Sequence, residues 1–471
     1  MRPGRSFMLP VIALFLAAGC SAPDDTKDLT GQSDWVTSVH EQVAEWYDVG
    51  EVVGAELLVI KDSDTVIHEV WGWADQEDER ALELDMIFRI RSMTKPLIGT
   101  AVLMLAEEGR IELDQPVATH LEVFQTPHAG DITIRDLLYH TSGFTMGYPR
   151  GSIDDYESLD EAVADAAEQG PKYPPGTEYH YADADTAALG LIIEAVTGEA
   201  PEDFIARRIF TPLEMRDSYC LLGEEAPVRE RVCSTYHWSE GRYQKYWDNE
   251  AAPETPFFRA SGGVFCTSLD YSRFLAMWMD RGLAGEARFL PETTIVSALQ
   301  PGPLSPDYAM HWQVYQSGDT GAVPPAFGHG GSDGTLAMAL PEHNAMVLYF
   351  TQSRGSLSTM FLEKFILQEL GYSEEKQLPE YVPDADIVGA YLGDFDLRGE
   401  RWTVEGDDRG VAFRCDRLVP LRFVPIAEHT FEHPVLDMGI RFVVDDDGTC
   451  DELVFRSGDR EVSAQRQSTS G

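Results

Sequence analysis

Apolar residues recur at helical spacing soon after the first polar stretch. Val36, Val39, Val43 and Trp46 follow Ser33-Asp34-Trp35 and predict an amphipathic helix with a polar start. Ala55 to Ile60 and Val66 to Trp71 are short apolar runs around Lys61-Asp62-Ser63-Asp64, which predicts two strands and a turn. From about residue 92 to 285 the pattern is rich in helices. Strand character returns at His311 to Tyr315, Thr335 to Leu340 and Ala345 to Thr351, the last two joined by the hairpin signal Pro341-Glu342-His343-Asn344. Met360 to Leu370 reads as a closing helix. Strands on both sides of a helical middle predict an α/β (α+β) domain, with one sheet drawn from both ends of the segment and flanked by helices.

The pattern then changes. Prolines and acids mark a linker at 377–384, and beyond it short alternating segments are separated by turn residues: 402–404, 410–413, 418–424, 430–432, 440–444 and 453–456. Such spacing predicts a second domain over 385–466, a small antiparallel β-barrel or sandwich. No active-site motif stands out there. The first domain is placed at 33–376.

Length and composition agree with this division. A chain of 471 residues with 43% apolar and 10% aromatic residues can bury more than one core. The formal net charge of −44 argues against nucleic acid as a partner, because phosphates would be repelled. Only seven lysines stand against 29 arginines. Adaptation to high salt and an organism-wide composition bias both account for that.

Arg2 and Arg5 precede the apolar run Phe7 to Ala18, which ends in Leu16-Ala17-Ala18-Gly19-Cys20. A basic start, a short apolar core and small residues before a cut form a secretory signal over 1–20, short for a membrane span. Cysteine directly after Ala-Ala-Gly resembles a bacterial lipobox, although Ala17 is a weaker match than leucine. That resemblance implies lipidation of Cys20, a polar tether over 21–32, and a lipid bilayer as partner. With Ser21 next, it implies the periplasmic side of the outer membrane. Five cysteines remain for an oxidising compartment, and proximity suggests Cys220 with Cys233 and Cys415 with Cys450, leaving Cys266 as a buried thiol. No CxxC or HExxH string is present, and neither a metal nor another cofactor is expected.

Ser92-Met93-Thr94-Lys95 carries the first candidate chemistry. A serine hydroxyl needs a nearby base to attack a carbonyl, and a spacing of three puts both side chains on one helical face. Pro96 is tolerated only in a first helical turn, so Ser92 should lie at the helix start. The wider context is Phe88-Arg89-Ile90-Arg91-Ser92-Met93-Thr94-Lys95-Pro96, then Glu108-Gly109-Arg110-Ile111-Glu112-Leu113-Asp114, then Leu137-Leu138-Tyr139-His140-Thr141-Ser142-Gly143. Pro175-Gly176-Thr177, Tyr181-Ala182-Asp183, Ala260-Ser261-Gly262-Gly263 and His329-Gly330-Gly331 follow in order. Over roughly residues 35–370 these strings resemble the serine β-lactamase-like superfamily, especially its class C, family VIII carboxylesterase and D-aminopeptidase branches.

The resemblance implies a transpeptidase-like fold, an antiparallel sheet flanked by helices plus an all-α lobe, followed here by a lipocalin-like C-terminal domain. It also implies roles. Ser92 becomes acylated, Lys95 and Tyr181 form the base system, and the backbone N–H groups of Ser92 and Ser332 make the oxyanion hole. Asp183 stands where the family has asparagine, and a carboxylate beside Lys95 would keep it protonated and move base duty to Tyr181. His329, followed by Gly330 and Gly331, stands where the family often has lysine, which removes a permanent cation. Structural alternatives accompany each: Tyr181 as a core tyrosine, Asp183 as a helix cap, His329 as the end of a strand. His140 to Gly143 reads as a structural turn, and Ser261-Gly262-Gly263 as close backbone packing. Gly330-Gly331-Ser332-Asp333-Gly334 fits the GxSxG elbow string, but its hairpin-like context lacks the required strand–turn–helix setting.

These features lead to a serine hydrolase, an enzyme for small ester, amide or peptide substrates, with a carboxylesterase as the first reading. A D-amino-acid-specific peptidase or weak β-lactamase is the second, and a catalytically silent binding lipoprotein is the reading of another class. The oligomeric state is not encoded in any motif.

Overall fold

The computed structural model describes residues 34–467, apart from 49, 224–226, 241, 252–254, 316–321, 374–377, 380, 383–384, 398, 408–409, 416–417, 435, 446–447 and 459. Cys20, the signal and the tether therefore lie outside the described residues, as does part of the expected linker.

The chain opens with α1 (Asp34–Asp48), β1 (Gly54–Lys61), β2 (Asp64–Asp75), β3 (Arg80–Ala81) and β4 (Phe88–Arg89). A helical section follows: α2 (Thr94–Glu107), α3 (Ile134–Tyr139), α4 (Leu159–Gln169), α5 (Asp183–Thr197) and α6 (Pro201–Ile205). Next come β5 (Thr235–Ser239), β6 (Arg242–Trp247), β7 (Phe265–Cys266), α7 (Ser268–Met279), β8 (Leu283–Ala284), β9 (Ala287–Arg288) and α8 (Glu292–Ala298). The segment ends in β10 (Gln313–Tyr315), β11 (Ala326–Gly331), β12 (Thr335–Leu340), β13 (Ala345–Thr351), β14 (Ser353–Arg354) and α9 (Ser358–Glu369).

One antiparallel sheet runs β10-β11-β12-β13-β1-β2-β3. Its middle joins the two ends of the segment, with Ala55 opposite Thr351 and Lys61 opposite Ala345. β1 is buried along most of its length, so its residues sort by the two-residue period alone. Leu57 and Val59 face α1 and α9, where Val36, Val39, Val43, Leu362 and Ile366 meet them. Leu58 faces the opposite layer, with Leu97, Phe274 and Trp278. Each such side chain, fully buried, contributes about 1.5–3 kcal/mol.

The middle is less uniformly helical than its pattern predicts. β5 and β6 form a hairpin within it, and β14 adds to β5 in parallel. β11 is a strand although it contains three glycines, Gly328, Gly330 and Gly331. A side chain at Gly328 would collide with the carbonyl of Ala337 on β12, so the glycine permits close strand pairing.

After the linker, α10 (Ala385–Tyr391) leads into eight strands, β15 (Gly393–Leu397) to β22 (Arg460–Arg466), closed as an antiparallel barrel. Sequence pattern found six of these segments and missed the first and last. Tyr391, Phe395, Trp402, Phe413, Phe431 and Phe442 fill the interior, and Tyr391 stacks on Phe442 at 4.2 Å. The barrel adjoins the first domain through Phe361 of α9, stacked on His433 at 5.1 Å, and through Leu357 packed against its core.

The expected disulfides are not formed. Cys220 and Cys233 are both free and buried. Each is held by a different neighbour, since Tyr219 is tied to Phe265 while Cys233 N–H donates to Ile87 O. Cys450 is also a free thiol, so the Cys415 pairing fails; the Cys415 side chain lies outside those described. Cys266 is a buried thiol 3.1 Å from Ser218 Oγ. Among the described residues no helix is long and apolar enough to cross a membrane.

Candidate active site

Ser92 lies in a single 3₁₀ turn, Arg91–Met93, that runs directly into α2, and Pro96 occupies the helix's first turn. Arg91 just before it has φ +47°, a left-handed conformation unfavourable for a non-glycine residue by about 1–2 kcal/mol. Its side chain holds the turn in place: Nε donates to Asp333 Oδ2 at 2.6 Å and Nη2 to Tyr246 Oη at 3.2 Å. Asp333 is buried at the β11–β12 turn. Burial alone would raise its pKa, but Arg91, Arg89 and Arg354 draw it below the ordinary carboxylate value.

Lys95 points back at Ser92 from one turn along. Its ammonium is completely buried and donates to Asp183 Oδ1 at 2.7 Å, Ser261 O at 2.9 Å and Ser92 Oγ at 3.3 Å. An ammonium has three N–H donors, and three acceptors surround this one. Burial disfavours the charge, but Asp183 beside it, with Tyr181, raises the lysine pKa above its ordinary value. Asp183 opens α5, where a helix N-terminus favours a carboxylate. Burial raises its pKa, yet Lys95 and Arg259, whose Nη2 lies 3.0 Å from Oδ2, bring it down to about 2. Asp183 is therefore more than a helix cap: it is the counter-ion of Lys95.

Tyr181 is half-buried, with the Lys95 ammonium 4.7 Å from its ring centroid. His140 and Tyr308 pack against it at 4.6 and 5.9 Å, and His329 at 6.2 Å. His140 sits in the left-handed cap of α3 with Nδ1 2.7 Å from Asp185 Oδ2. His329 is buried on β11. Its Nδ1 donates to Gly330 O at 2.7 Å, and its Nε2 accepts from Tyr308 Oη at 3.3 Å. Burial first, and then Lys95, push its pKa down to about 3, so the imidazole is neutral. At this point of β11 the side chain therefore supplies no cation.

Gly331 brings the β11 edge against the nucleophile turn, because a Cβ there would collide with Ile90 O. The strand ladder ends at Gly331 opposite Thr335, so Ser332 lies beyond it as the exposed residue of a turn closed by Gly334 N–H to Gly331 O at 2.9 Å. The GxSxG string is thus a β-hairpin turn, not a nucleophile elbow. Among the described residues, the backbone N–H groups of Ser92, the second residue of a helical turn, and of Ser332, outside the ladder, make no backbone hydrogen bond. Both border a cleft of about 270 Å³ that is also lined by Tyr148, Asp183, Arg259 and Arg354.

The structure brings Ser92, Lys95, Tyr181, Asp183, His329, Gly330, Gly331 and Ser332 together. Sequence reading missed Arg259, the Arg91–Asp333 lock and Arg354. Arg91 and Arg259 directly flank the quoted Ser92 and Ala260-Ser261 strings, which is the signal that was available. Among the described residues no cluster of three or more His, Cys, Asp or Glu is placed to hold a metal ion.

A family model described as Beta-lactamase matches residues 41–369. Penicillin-binding protein 4 of Amycolatopsis lactamdurans is 29% identical over 362 residues, covering 71% of this chain and 90% of that protein. Esterase EstB of Burkholderia gladioli is 30% identical over 204 residues, covering 40% of this chain and 50% of the esterase. The structure of the octameric penicillin-binding protein homologue from Pyrococcus abyssi aligns with a TM-score of 0.64 at 23% identity, covering 91% of this chain and 99% of that one.

Proposed function

The chain belongs to the beta-lactamase family of serine hydrolases, and from that premise we propose that it is a carboxylesterase for small esters, acting through an acyl-enzyme on Ser92. The observation that carries this reading is the environment of Lys95. With three acceptors around it, Asp183 among them as its counter-ion, Lys95 stays cationic and is a poor proton acceptor. Tyr181 is the remaining base beside the cation.

Acting as the phenolate that the Lys95 ammonium stabilises, Tyr181 takes the Ser92 hydroxyl proton as Oγ attacks the ester carbonyl carbon, and the negative charge passes from the tyrosine oxygen to the carbonyl oxygen. The carbonyl oxygen becomes an oxyanion facing the N–H groups of Ser92 and Ser332, where one such donor is worth about 3–4 kcal/mol. Collapse breaks the bond to the alkoxy group, which leaves with the proton from Tyr181. Water then attacks the acyl-Ser92 ester, Tyr181 takes the water proton, and Ser92 departs with it as the free acid forms. The neutral His329 supports an ester substrate, since no fixed cation meets a carboxylate at that point.

The test is turnover of 4-nitrophenyl butyrate with covalent labelling by a fluorophosphonate. Wild type should turn over the ester and carry the label on Ser92, and Ser92→Ala should do neither. Full turnover in Ser92→Ala would refute the nucleophile, while an inert and unlabelled wild type would support the silent binding protein. The similarity to Penicillin-binding protein 4 over most of its length favours a second reading, a peptidase or amidase. Parallel assays on D-alanyl peptides and nitrocefin separate it from the esterase.

Membrane attachment through Cys20 belongs to the same proposal, motivated by the lipobox-like Leu16 to Cys20. Cys20→Ser should move the protein from the membrane to the soluble fraction, and unchanged fractionation would refute the anchor.

A further inference from the structure

We infer that Arg354 recognises a free carboxylate on the substrate, so that the enzyme prefers esters bearing one near the scissile bond. The inference rests on the acyl-enzyme reading above and names the substrate class for that site.

Three arginines line the cleft beside Ser92. Two are engaged at short range: Arg91 with Asp333 at 2.6 Å, and Arg259 with Asp183 at 3.0 Å. Arg354 differs. Its side chain is 49% exposed, and its ion pair with Asp333 is long, at 3.6 Å. Asp333 Oδ1 already accepts from Tyr246 Oη at 2.8 Å, and Oδ2 from Arg91. Arg354 can therefore turn toward a ligand without leaving a buried carboxylate unpaired. A guanidinium with a planar fork of donors matches a carboxylate in two parallel hydrogen bonds.

Placement supports the same conclusion. Thr351 N–H donates to Gly334 O, and Ser353 O lies 3.4 Å from where a Gly334 side chain would begin. The β13–β14 edge thus packs on the turn that carries Ser332, and both Ser332 and Arg354 face the cleft. His329, buried and neutral, supplies no cation, so a carboxylate in the cleft would find its charge on the β14 side. In a chain of net charge −44, general attraction cannot draw an anion in, and recognition has to be local.

The experiment compares kcat/KM for 4-nitrophenyl hemiglutarate, a carboxylate on the acyl side, and for an N-acylglycyl lactate depsipeptide, a carboxylate on the leaving side. Each is set against its methyl ester. Wild type should favour the free acid of at least one pair, and Arg354→Gln should lower that acid-to-ester ratio about 10-fold, the size of one charge-assisted hydrogen bond at a half-exposed site. Arg354→Lys should retain part of the ratio, and added salt should reduce it. Equal use of acid and ester by wild type, or a ratio unchanged in Arg354→Gln, would overturn the inference. An equal loss on both members of a pair would mark Arg354 as structural and overturn it too. Turnover of the methyl esters that persists in Ser92→Ala would instead overturn the acyl-enzyme reading.

Discussion

Replacing Asp183 by asparagine isolates the charge state of Lys95. The substitution keeps shape and removes the anion 2.7 Å from a lysine that has no exposed surface. Lys95 then either stays charged without a counter-ion, at about 3–5 kcal/mol, or gives up its proton. Giving it up at pH 7 costs about 5 kcal/mol, since lysine ordinarily titrates near 10.4 and each unit is worth about 1.4 kcal/mol. The two costs are close at pH 7, so the loss of stability there is about 3–5 kcal/mol. Because the second cost falls by about 1.4 kcal/mol for each unit of rising pH, the neutral lysine takes over above pH 7.

The diagnostic is its pH dependence. If Lys95 of the variant is neutral when folded and charged when unfolded, the unfolded state binds one more proton. Stability must then rise with pH, by up to about 1.4 kcal/mol per unit from pH 7 toward 10. In wild type Lys95 is charged in both states over that range, because Asp183 raises its pKa, and the term is flat. Urea denaturation of both proteins at pH 7, 8 and 9 measures the difference, with equal m-values as the check on two-state behaviour. A constant difference across the series would refute the claim that Asp183 holds the proton on Lys95.

Other outcomes follow from the same geometry. Tyr181→Phe should lower kcat for 4-nitrophenyl butyrate by about 10²–10⁴ with little change in stability; a loss under threefold would remove Tyr181 from the base role. Gly331→Ala should cost about 1–3 kcal/mol, because the methyl group meets Ile90 O, and should slow acylation by moving the Ser332 turn. Full acylation rates by stopped flow would contradict that close approach. His311 and His329 are neutral in the fold, with pKa values about 3 against an ordinary 6.5. Below pH 6.5 the unfolded chain takes up their protons first, so each costs stability as pH falls, about 2 kcal/mol at pH 5. His329→Gln should remove about that much from the difference in unfolding free energy between pH 7 and 5, and an unaltered difference would show that His329 is charged. Asp333→Ala should destabilise by about 3–5 kcal/mol, since it strands the buried Arg91; thermal unfolding unchanged within a degree would refute the lock.

How much could be read from sequence depended on whether a signal was local. Val36, Val39 and Val43, or the alternating faces of β1, declare themselves because each buried side chain obeys a fixed period. SxxK with Pro96 likewise fixes Ser92 at a helix start from neighbours alone. β11 did not declare itself, because its glycines are set by contacts outside the strand, with Ala337 on the neighbouring strand and with Ile90, far away in the chain. The β5–β6 hairpin was hidden by polar and aromatic residues without clean alternation. Arg259 and Arg354 carry no motif, and their meaning arises only when folding sets them around Asp183 and Asp333. The proposed disulfides failed for the same reason: closeness of Cys220 and Cys233 in sequence says nothing of which strands hold them.

The pairing of β1 with β13 also bears on how the chain matures. Ala55 meets Thr351 across nearly the whole first domain, and such long-range pairings close late because loop closure must precede any reward. During synthesis, the segment bearing Ser92 and Lys95 emerges long before its partners at Ser261, Gly331 and Asp333. A nascent or truncated chain ending short of β13 holds an exposed, unpaired β1 edge and no assembled nucleophile. Catalytic competence is thus withheld until almost all of the domain has been made.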